Sequence, residues 1–381
     1  MNKHFSSLRF AALVAFCAML FATATAVAQH GGTTPVPVPA ADAGPKTAEQ
    51  RFKNIQVLKG VPADQLLPAM QFISASLGVE CEFCHVDNAR EKDDKKPKLM
   101  ARKMIEMEMA INKNHFNGQQ EVTCYSCHRG TLNPVAVPAI PEEEPKRPLI
   151  SSSVIGPPFP VADQIIDKYL AAVGGADALR KNTSRIMKGN ISFGQQKFPV
   201  EVFAKAPNKR ISVVHTPNGD SITAYDGHAG WLGGSGGRPP QDMNSQENDA
   251  VSVEATFYLP LEIKKMFSQL RMRPDEKIAG RDVVQVIGFR DGKPPVRFFF
   301  DKESSLLVRT IRYTETPLGR NPAQVDYADY RLDGGVKLPF QWTVARPSGR
   351  FTIQVSEMQQ NVAVDDAKFA KPAAPEKPAE K

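Results

Sequence analysis

Beyond its N-terminus this 381-residue chain has no long apolar run, and its mean hydropathy is −0.33. A helix that crosses a bilayer needs about 20 consecutive apolar residues, so the body of the chain carries no membrane-spanning domain by this reading. An excess of one charge sign is also missing. The 48 basic and 41 acidic residues are interleaved, and the formal net charge of +7 is mild for this length. That excludes the basic stripe expected of a nucleic-acid-binding protein. No strand–loop–helix phosphate cradle is present, because Gly233-Gly234-Ser235-Gly236-Gly237 reads only as a flexible loop. Cysteine is scarce too, with five in all.

Where those cysteines stand matters more than their number. Cys17 lies in the N-terminal apolar stretch, and the other four fall in two short clusters. Lys3, His4 and Arg9 form a basic start, Phe10 to Ala22 a short apolar segment, and Ala26-Val27-Ala28 a small-residue cleavage site before Gln29. Residues 1–28 therefore read as a cleavable secretory signal, with the apolar segment too short for an uncleaved anchor. Phe16 is too bulky for the small residue expected before a lipidated Cys17, which argues against a lipoprotein. The mature chain is expected in the periplasm, possessing no thiol outside the two clusters for a structural disulfide.

The 31 prolines mark the boundaries. Residues 29–47 are rich in Pro, Ala and Gly and read as a disordered leader. Residues 48–134 form a partly helical domain. Residues 135–160, with Glu142-Glu143-Glu144 and Pro157-Pro158, suit a stiff extended linker. Residues 161–369 form a β-rich domain, and residues 370–381 a disordered tail.

Each cysteine cluster is a Cys-X-X-Cys-His pentapeptide: Cys81-Glu82-Phe83-Cys84-His85 and Cys124-Tyr125-Ser126-Cys127-His128. This is the attachment signature of c-type haem. Two thiols separated by two residues can add to the vinyl groups on one porphyrin edge, and the next imidazole falls beneath the iron as proximal ligand. Two covalently bound haems are expected, held through Cys81, Cys84, Cys124 and Cys127, with His85 and His128 on the irons. A four-cysteine zinc site, a redox dithiol and two disulfides are the alternatives. Zinc pairs usually lie closer in sequence and need no His, the dithiol needs a strand–helix context, and a two-residue disulfide loop is strained.

Each pentapeptide follows an apolar helix. The first starts near Pro62, places Leu66, Met70, Ile73 and Leu77 on one face and ends at Gly78. The second, over 98–112, repeats that spacing with Met100, Met104, Met107 and Ile111. The arrangement reads as an internal duplication. The charged stretch Arg90 to Lys96 between the halves reads as a solvated loop. A thioether opposite His would fill the second axial position and favour outer-sphere electron transfer. Met70 is a candidate for one iron, although a Met on an apolar stripe commonly fills core. Met100, Met104, Met107 and His115 all remain candidates for the other.

The stretch from Val57 to Pro134 resembles the tetrahaem cytochrome c subunit of photosynthetic reaction centres. The residues carrying this are Met70 with the first pentapeptide, Ala101-Arg102-Lys103-Met104-Ile105-Glu106-Met107, Ala110-Ile111-Asn112, and Val122-Thr123 with the second pentapeptide and Arg129-Gly130. The resemblance implies Met70 and Met104 as distal ligands. It covers only two of four haems, so a role for His115 toward a haem of the missing half is not carried over. Light-driven chemistry is not implied either, since no membrane reaction-centre sequence is present.

In the C-terminal part a helix is expected over 161–173, with Ile165, Ile166, Tyr169, Leu170 and Val173 apolar, and a second over 259–270. Strands are expected at 200–204, 210–215, 283–289, 296–300, 306–313 and 351–355. Turns separate them at Pro217-Asn218-Gly219, Asp291-Gly292, Asp333-Gly334-Gly335 and Pro347-Ser348-Gly349. The region resembles the half-barrel of outer-membrane lipoprotein-sorting proteins at Tyr225-Asp226-Gly227-His228-Ala229-Gly230-Trp231, at Phe300-Asp301-Lys302-Glu303 and at Leu306-Leu307-Val308-Arg309. That resemblance implies an apolar cavity for acyl chains. Trp231, Trp342 and Phe298-Phe299-Phe300 read as core, and His228 has no nucleophile or carboxylate around it that names a hydrolase.

The fold expected is thus a mainly α multihaem c-type cytochrome domain followed by an α+β domain with a curved antiparallel sheet. The expected function is a periplasmic dihaem cytochrome passing single electrons between a redox protein donor and acceptor, one of which can be a membrane complex. It is expected not to be an enzyme. The rival readings are a lipid- or lipoprotein-binding module with structural or redox-sensing haems, and a haem peroxidase, which would need an open iron site.

Overall fold

A computed structural model describes residues 46–136, 160–234 and 239–372. The candidate signal peptide, nearly all of the leader and tail and most of the linker lie outside the described residues. The N-terminal part holds helices α1 (Ala48–Arg51), α2 (Ala63–Leu77), α3 (Cys81–Cys84), α4 (Lys96–His115) and α5 (Cys124–His128). As expected, α2 starts immediately after Pro62 and stops at Gly78, whose φ of 66° provides a left-handed C-terminal cap. The N-cap of α4 is Lys95, with Pro97 in the first turn.

The faces of both helices differ from the sequence expectation. On α2 the buried residues are Ala63, Ala69, Phe72, Ile73 and Ser76, while Leu66, Met70 and Leu77 only flank this core. On α4 they are Lys98, Ile105, Glu108 and Asn112, and the Met stripe turns outward, with Met100 54% and Met107 47% exposed. The periodicity was sound but the phase was wrong; on α4 the inner face is lined by the buried polar side chains Lys98, Glu108 and Asn112, each with fixed partners. The two halves also interlock. The Gly130 N–H beyond the second pentapeptide donates to the Ser76 carbonyl of α2 at 2.9 Å. A Cβ at Gly78 would lie 2.2 Å from the Gly130 carbonyl oxygen, so only glycine permits this approach.

After α6 (Pro160–Ala172) and α7 (Gly175–Arg180) the chain becomes β: β1 (Ser184–Phe193), β2 (Gln196–Lys205), β3 (Lys209–Thr216), β4 (Gly219–Tyr225), β5 (Gly230–Gly233) and β6 (Gln241–Asp242). Helices α8 (Ser245–Ala255) and α9 (Leu259–Met266) follow. Then come β7 (Gln269–Ile278), β8 (Arg281–Arg290), β9 (Lys293–Asp301), β10 (Leu307–Thr316), β11 (Gly319–Asp333), β12 (Val336–Arg346) and β13 (Gly349–Gln360). Every expected strand and turn is found. The expected helix over 259–270 ends at Met266 instead, because Gln269 begins β7, and α8 was not foreseen.

The thirteen strands among the described residues form one antiparallel sheet in the order β6-β5-β4-β3-β2-β1-β13-β12-β11-β10-β9-β8-β7. Strands β6 and β7 are therefore opposite edges joined by α8 and α9. Flat, the sheet would be about 58 Å wide, at ~4.8 Å per strand. The two helices add roughly 28 Å of length at 1.5 Å per residue, plus a few extended residues. The connection can span the sheet only if the sheet curls over it, and α6, α7 and α9 pack with β8, β9 and β10 in the largest core, around Phe298, Phe300 and Ile263.

The N-terminal segment packs against the turn between β10 and β11. Leu318 in that turn is fully buried with Leu58, Ala69, Phe72, Ile73 and Ile105. Asn321 Nδ2 donates to the Pro68 carbonyl at 2.8 Å, and Gln120 Nε2 to the Thr316 carbonyl at 3.0 Å.

Candidate functional site

Each pentapeptide folds as a single helical turn, which is how two thiols spaced by two residues come to share one side. In the first, the His85 N–H donates to the Cys81 carbonyl at 3.0 Å. In the second, Ser126 Oγ accepts from the Thr123 N–H at 3.0 Å and fixes the start of α5. All four cysteines are free thiols; Cys81 and Cys127 are exposed, Cys84 and Cys124 half-buried.

The two histidines share one arrangement. His85 Nδ1 lies 3.0 Å from the Arg90 carbonyl oxygen, and His128 Nδ1 lies 3.1 Å from that of Thr131. A carbonyl can only accept, so each neutral ring carries its proton on Nδ1 and keeps a lone pair on Nε2. An imidazole bound to metal through Nε2 is usually oriented by such an Nδ1 contact, which also raises its basicity.

The loop that supplies the Arg90 carbonyl is not the free solvated loop expected from its charges. Lys98 Nζ, on the inner face of α4, donates to the carbonyls of Arg90 (2.9 Å), Glu91 (3.0 Å) and Lys92 (2.7 Å) and pairs with Asp93 at 3.0 Å. Arg102 pairs with Asp93 at 2.9 Å. Hydrogen bonds from Arg102, then Lys98 and Asn54, hold the Asp93 carboxyl well below the usual carboxylate range. The charge run is wound around one buried ammonium.

The second motif is tied to α4 as well. The buried Asn112 donates to the Val122 carbonyl at 2.6 Å and accepts from the Glu121 and Val122 N–H groups at 3.2 and 3.0 Å. Cys124 donates its thiol hydrogen to the buried Glu108 carboxylate at 2.9 Å. Burial, then the Glu108 hydrogen bond, push the Cys124 thiol up, and burial raises the Glu108 carboxyl. Sequence reasoning passed over Lys98, Glu108 and Asn112. With Ile105 they recur at seven, three and four residues, a helical stripe visible only if polar residues are admitted to it.

Met70 and Met104 are both half-buried, Met70 on the edge of the α2 core and Met104 between the exposed Met100 and Met107. His115 is exposed at the end of α4. Phe83 and Tyr125 within the motifs, Leu132 and Val135 just after the second, and Met100 and Met107 on α4 are all exposed. Free paired thiols, an available Nε2 beside each pair, half-buried thioethers and an apolar surround form a donor set that fits covalent haem. It fits a four-cysteine metal site poorly: among the described residues no three His, Cys, Asp or Glu side chains cluster as metal ligands would.

In the sheet region Trp231 and Phe298-Phe299-Phe300 are buried, as expected of core. Trp342, also buried, additionally lines a cavity. His228 sits in an exposed turn, where its N–H donates to Asp226 at 2.8 Å.

Residues 18–152 match the family model of the photosynthetic reaction centre cytochrome C subunit. Over 104 residues the chain is 38% identical to the photosynthetic reaction center cytochrome c subunit of Thermochromatium tepidum, covering 26% of this chain and 25% of that protein. Over 87 residues it is 33% identical to cytochrome c-554 of Chloroflexus aurantiacus, covering 21% of each. The chain thus spans about a quarter of the length of these curated relatives. The C-terminal part is similar to a DUF1329 family protein from Desulfovibrio piger, at TM-score 0.40 and 13% identity, covering 55% of this chain and 97% of that one. A LolA superfamily protein from Nitrosomonas europaea gives TM-score 0.37 and 14% identity, with the same coverage. The N-terminal segment is therefore similar to c-type cytochromes.

Proposed function

We propose that the N-terminal segment is a two-haem c-type cytochrome that carries single electrons between redox proteins in the periplasm. The observation that supports this most directly is the repeated unit of one helical turn holding two thiols, followed by an imidazole with Nδ1 held on a carbonyl and Nε2 free. Haem iron, when bound, supplies reversible one-electron chemistry. Cys81 and Cys84 would hold one group as thioethers, and Cys124 and Cys127 the other. His85 and His128 would be the proximal ligands, oriented by the Arg90 and Thr131 carbonyls. Met70 and Met104 would each supply a second protein ligand to one iron, and with both ligands in place neither iron would be open to a small-molecule substrate, which favours a carrier over a peroxidase. Lys98 and Asn112 would hold the loops that aim these ligands. The exposed apolar side chains near the motifs give a donor or acceptor, soluble or part of a membrane complex, a surface against which to dock. The basic, apolar and small-residue succession at the N-terminus supports export.

The test is haem content and the reduced absorbance spectrum of the exported chain. Two covalent haems per chain are expected, and a protein without haem bands would overturn the reading. Met70→Ala and Met104→Ala should each remove one Met-ligation signature; unchanged spectra would remove those two assignments.

A further inference from the structure

The two imidazoles share a geometry but not an electrical setting. His85 Nδ1 donates to the Arg90 carbonyl at 3.0 Å, and Lys98 Nζ donates to the same oxygen at 2.9 Å. Both lone pairs of that oxygen are therefore engaged, one of them by an ammonium. Lys98 is buried in the first turn of α4, and its other contacts are the Glu91 and Lys92 carbonyls and Asp93. Asp93 does not cancel this charge, because Arg102 pairs with it at 2.9 Å as well. Two cations thus stand against one carboxylate behind the first histidine. A further cation, the half-buried Lys95, donates to the Glu82 carbonyl inside the first pentapeptide. Arg90, Glu91 and Lys92 are exposed, where water and salt screen their side chains.

The second motif is set differently. His128 Nδ1 lies 3.1 Å from the Thr131 carbonyl, which accepts from no other group among the described residues. The charged side chain that the inner face of α4 brings there is Glu108, which accepts from Cys124 at 2.9 Å. Ionised or neutral, Glu108 supplies no cation. Arg129 and Glu121, to either side of the pentapeptide, are exposed.

The two settings push a bound iron in opposite directions. An imidazole whose N–H meets a strong acceptor gains basicity and stabilises the more positive, oxidised metal. A carbonyl already polarised by an ammonium is a weaker acceptor, so His85 gains less than His128. The buried cation itself also favours the less positive, reduced metal, and away from water that effect is little screened. Both contributions have the same sign.

We propose that Lys98, acting through the Arg90 carbonyl, sets the iron at His85 to a higher reduction potential than the iron at His128. Lys98 touches neither iron and is a positioning residue for the charge around the first one. On the two-haem cytochrome reading, on which this rests, one electron passes from the iron at His128, which becomes ferric, to the iron at His85, which becomes ferrous. No bond is made or broken and no proton moves in that step.

Spectroelectrochemical titration of the full exported chain with both haems attached tests this. Two one-electron waves are expected; the one that moves in Met70→Ala belongs to the first motif, and the one that moves in Met104→Ala to the second. The first-motif wave should lie higher by at least about tenfold in the equilibrium for sharing one electron, or about 59 mV. Lys98→Met should lower that wave and leave the second in place. Lys98→Arg keeps the cation and should hold the wave near its parent position. Asp93→Asn removes the counter-charge and should raise it. A lysine that only braced the loop would give shifts of one sign in Lys98→Met and Asp93→Asn, so opposite shifts identify the charge as the cause. Asp93→Asn and Lys98→Arg also keep the test usable if the methionine variant does not attach its first haem. A first-motif wave at or below the second, no shift in the charge variants, or shifts of one sign would each overturn the proposal while two attached haems upheld the cytochrome reading. A chain without haem would overturn both.

Discussion

The N-terminal segment and the sheet obtain their order in different ways. Of the fourteen large apolar side chains exposed among the described residues, eleven lie in residues 46–136, although the sheet region is more than twice as long. The main core of the sheet region gathers fifteen buried residues from helices and strands, whereas that of the segment has five of its own plus Leu318 from the β10–β11 turn. A small unit with so little apolar interior needs support from a bound group or a neighbouring element. Buried Lys98, Glu108 and Asn112 give the segment directional bonds instead of bulk, placing its motif loops while its apolar side chains face outward.

The largest effects should come from removing one aromatic ring from each core. Phe298→Ala and Phe72→Ala should each cost about 3–5 kcal/mol. Thermal unfolding followed by far-ultraviolet circular dichroism and by haem absorbance would separate them. Phe298→Ala should weaken the sheet first, whereas Phe72→Ala should perturb the haem segment first. Reversed order in either variant would break the comparison.

The seam between the regions comes next. Gly319 has φ of +147°, and a Cβ there would lie 2.4 Å from the Phe72 ring. Gly319→Ala should cost about 2–4 kcal/mol through crowding and backbone strain. Limited proteolysis should then cut between the segment and the sheet faster than in the parent chain. An unchanged digestion rate would mean that the Phe72–Leu318 contact does not hold the two together.

Asn112→Ala removes three hydrogen bonds to the approach of the second motif and should cost about 1–3 kcal/mol. The second haem should be attached less completely than the first, as read by mass spectrometry of intact chains. Equal loss at both motifs would show that Asn112 serves the whole segment.

The smallest effect is in acid. The Asp93 carboxyl is held below its unfolded value, so its contribution is present above about pH 4 and is lost as pH falls through the folded pKa. Asp93→Asn should flatten the acid limb of stability measured near the first haem while leaving the sheet's acid response unchanged. A variant with the same acid limb as the parent would remove Asp93 as its source.

What could be read from the sequence was local in origin. The end of α2 follows from Gly78, the turns from Asn218-Gly219 and Asp291-Gly292, and the strands β9 and β10 from their own aromatic and β-branched residues. The helical face of α4 was misread because its inner stripe includes Lys98, Glu108 and Asn112, whose burial is tolerable only with partners brought by the loop before the helix for Lys98 and by the segment after it for Glu108 and Asn112. Strand β1 was missed because Arg185, Lys188 and Asn190 interrupt its apolar pattern, and α8 because its buried residues are few and interspersed with Glu and Asn.

The sequence by itself determined the two Cys-X-X-Cys-His units, the start of α2 just after Pro62 and the antiparallel character of the C-terminal part. Each of these depends on residues a few positions apart, whose relative geometry the backbone fixes. Tertiary structure alone decided which face of each helix turns inward, how the segment meets the β10–β11 turn, and that Arg185 of β1 and Arg210 of β3 flank Ala204 of β2. Those depend on strand register and on partners far along the chain, which no local spacing encodes.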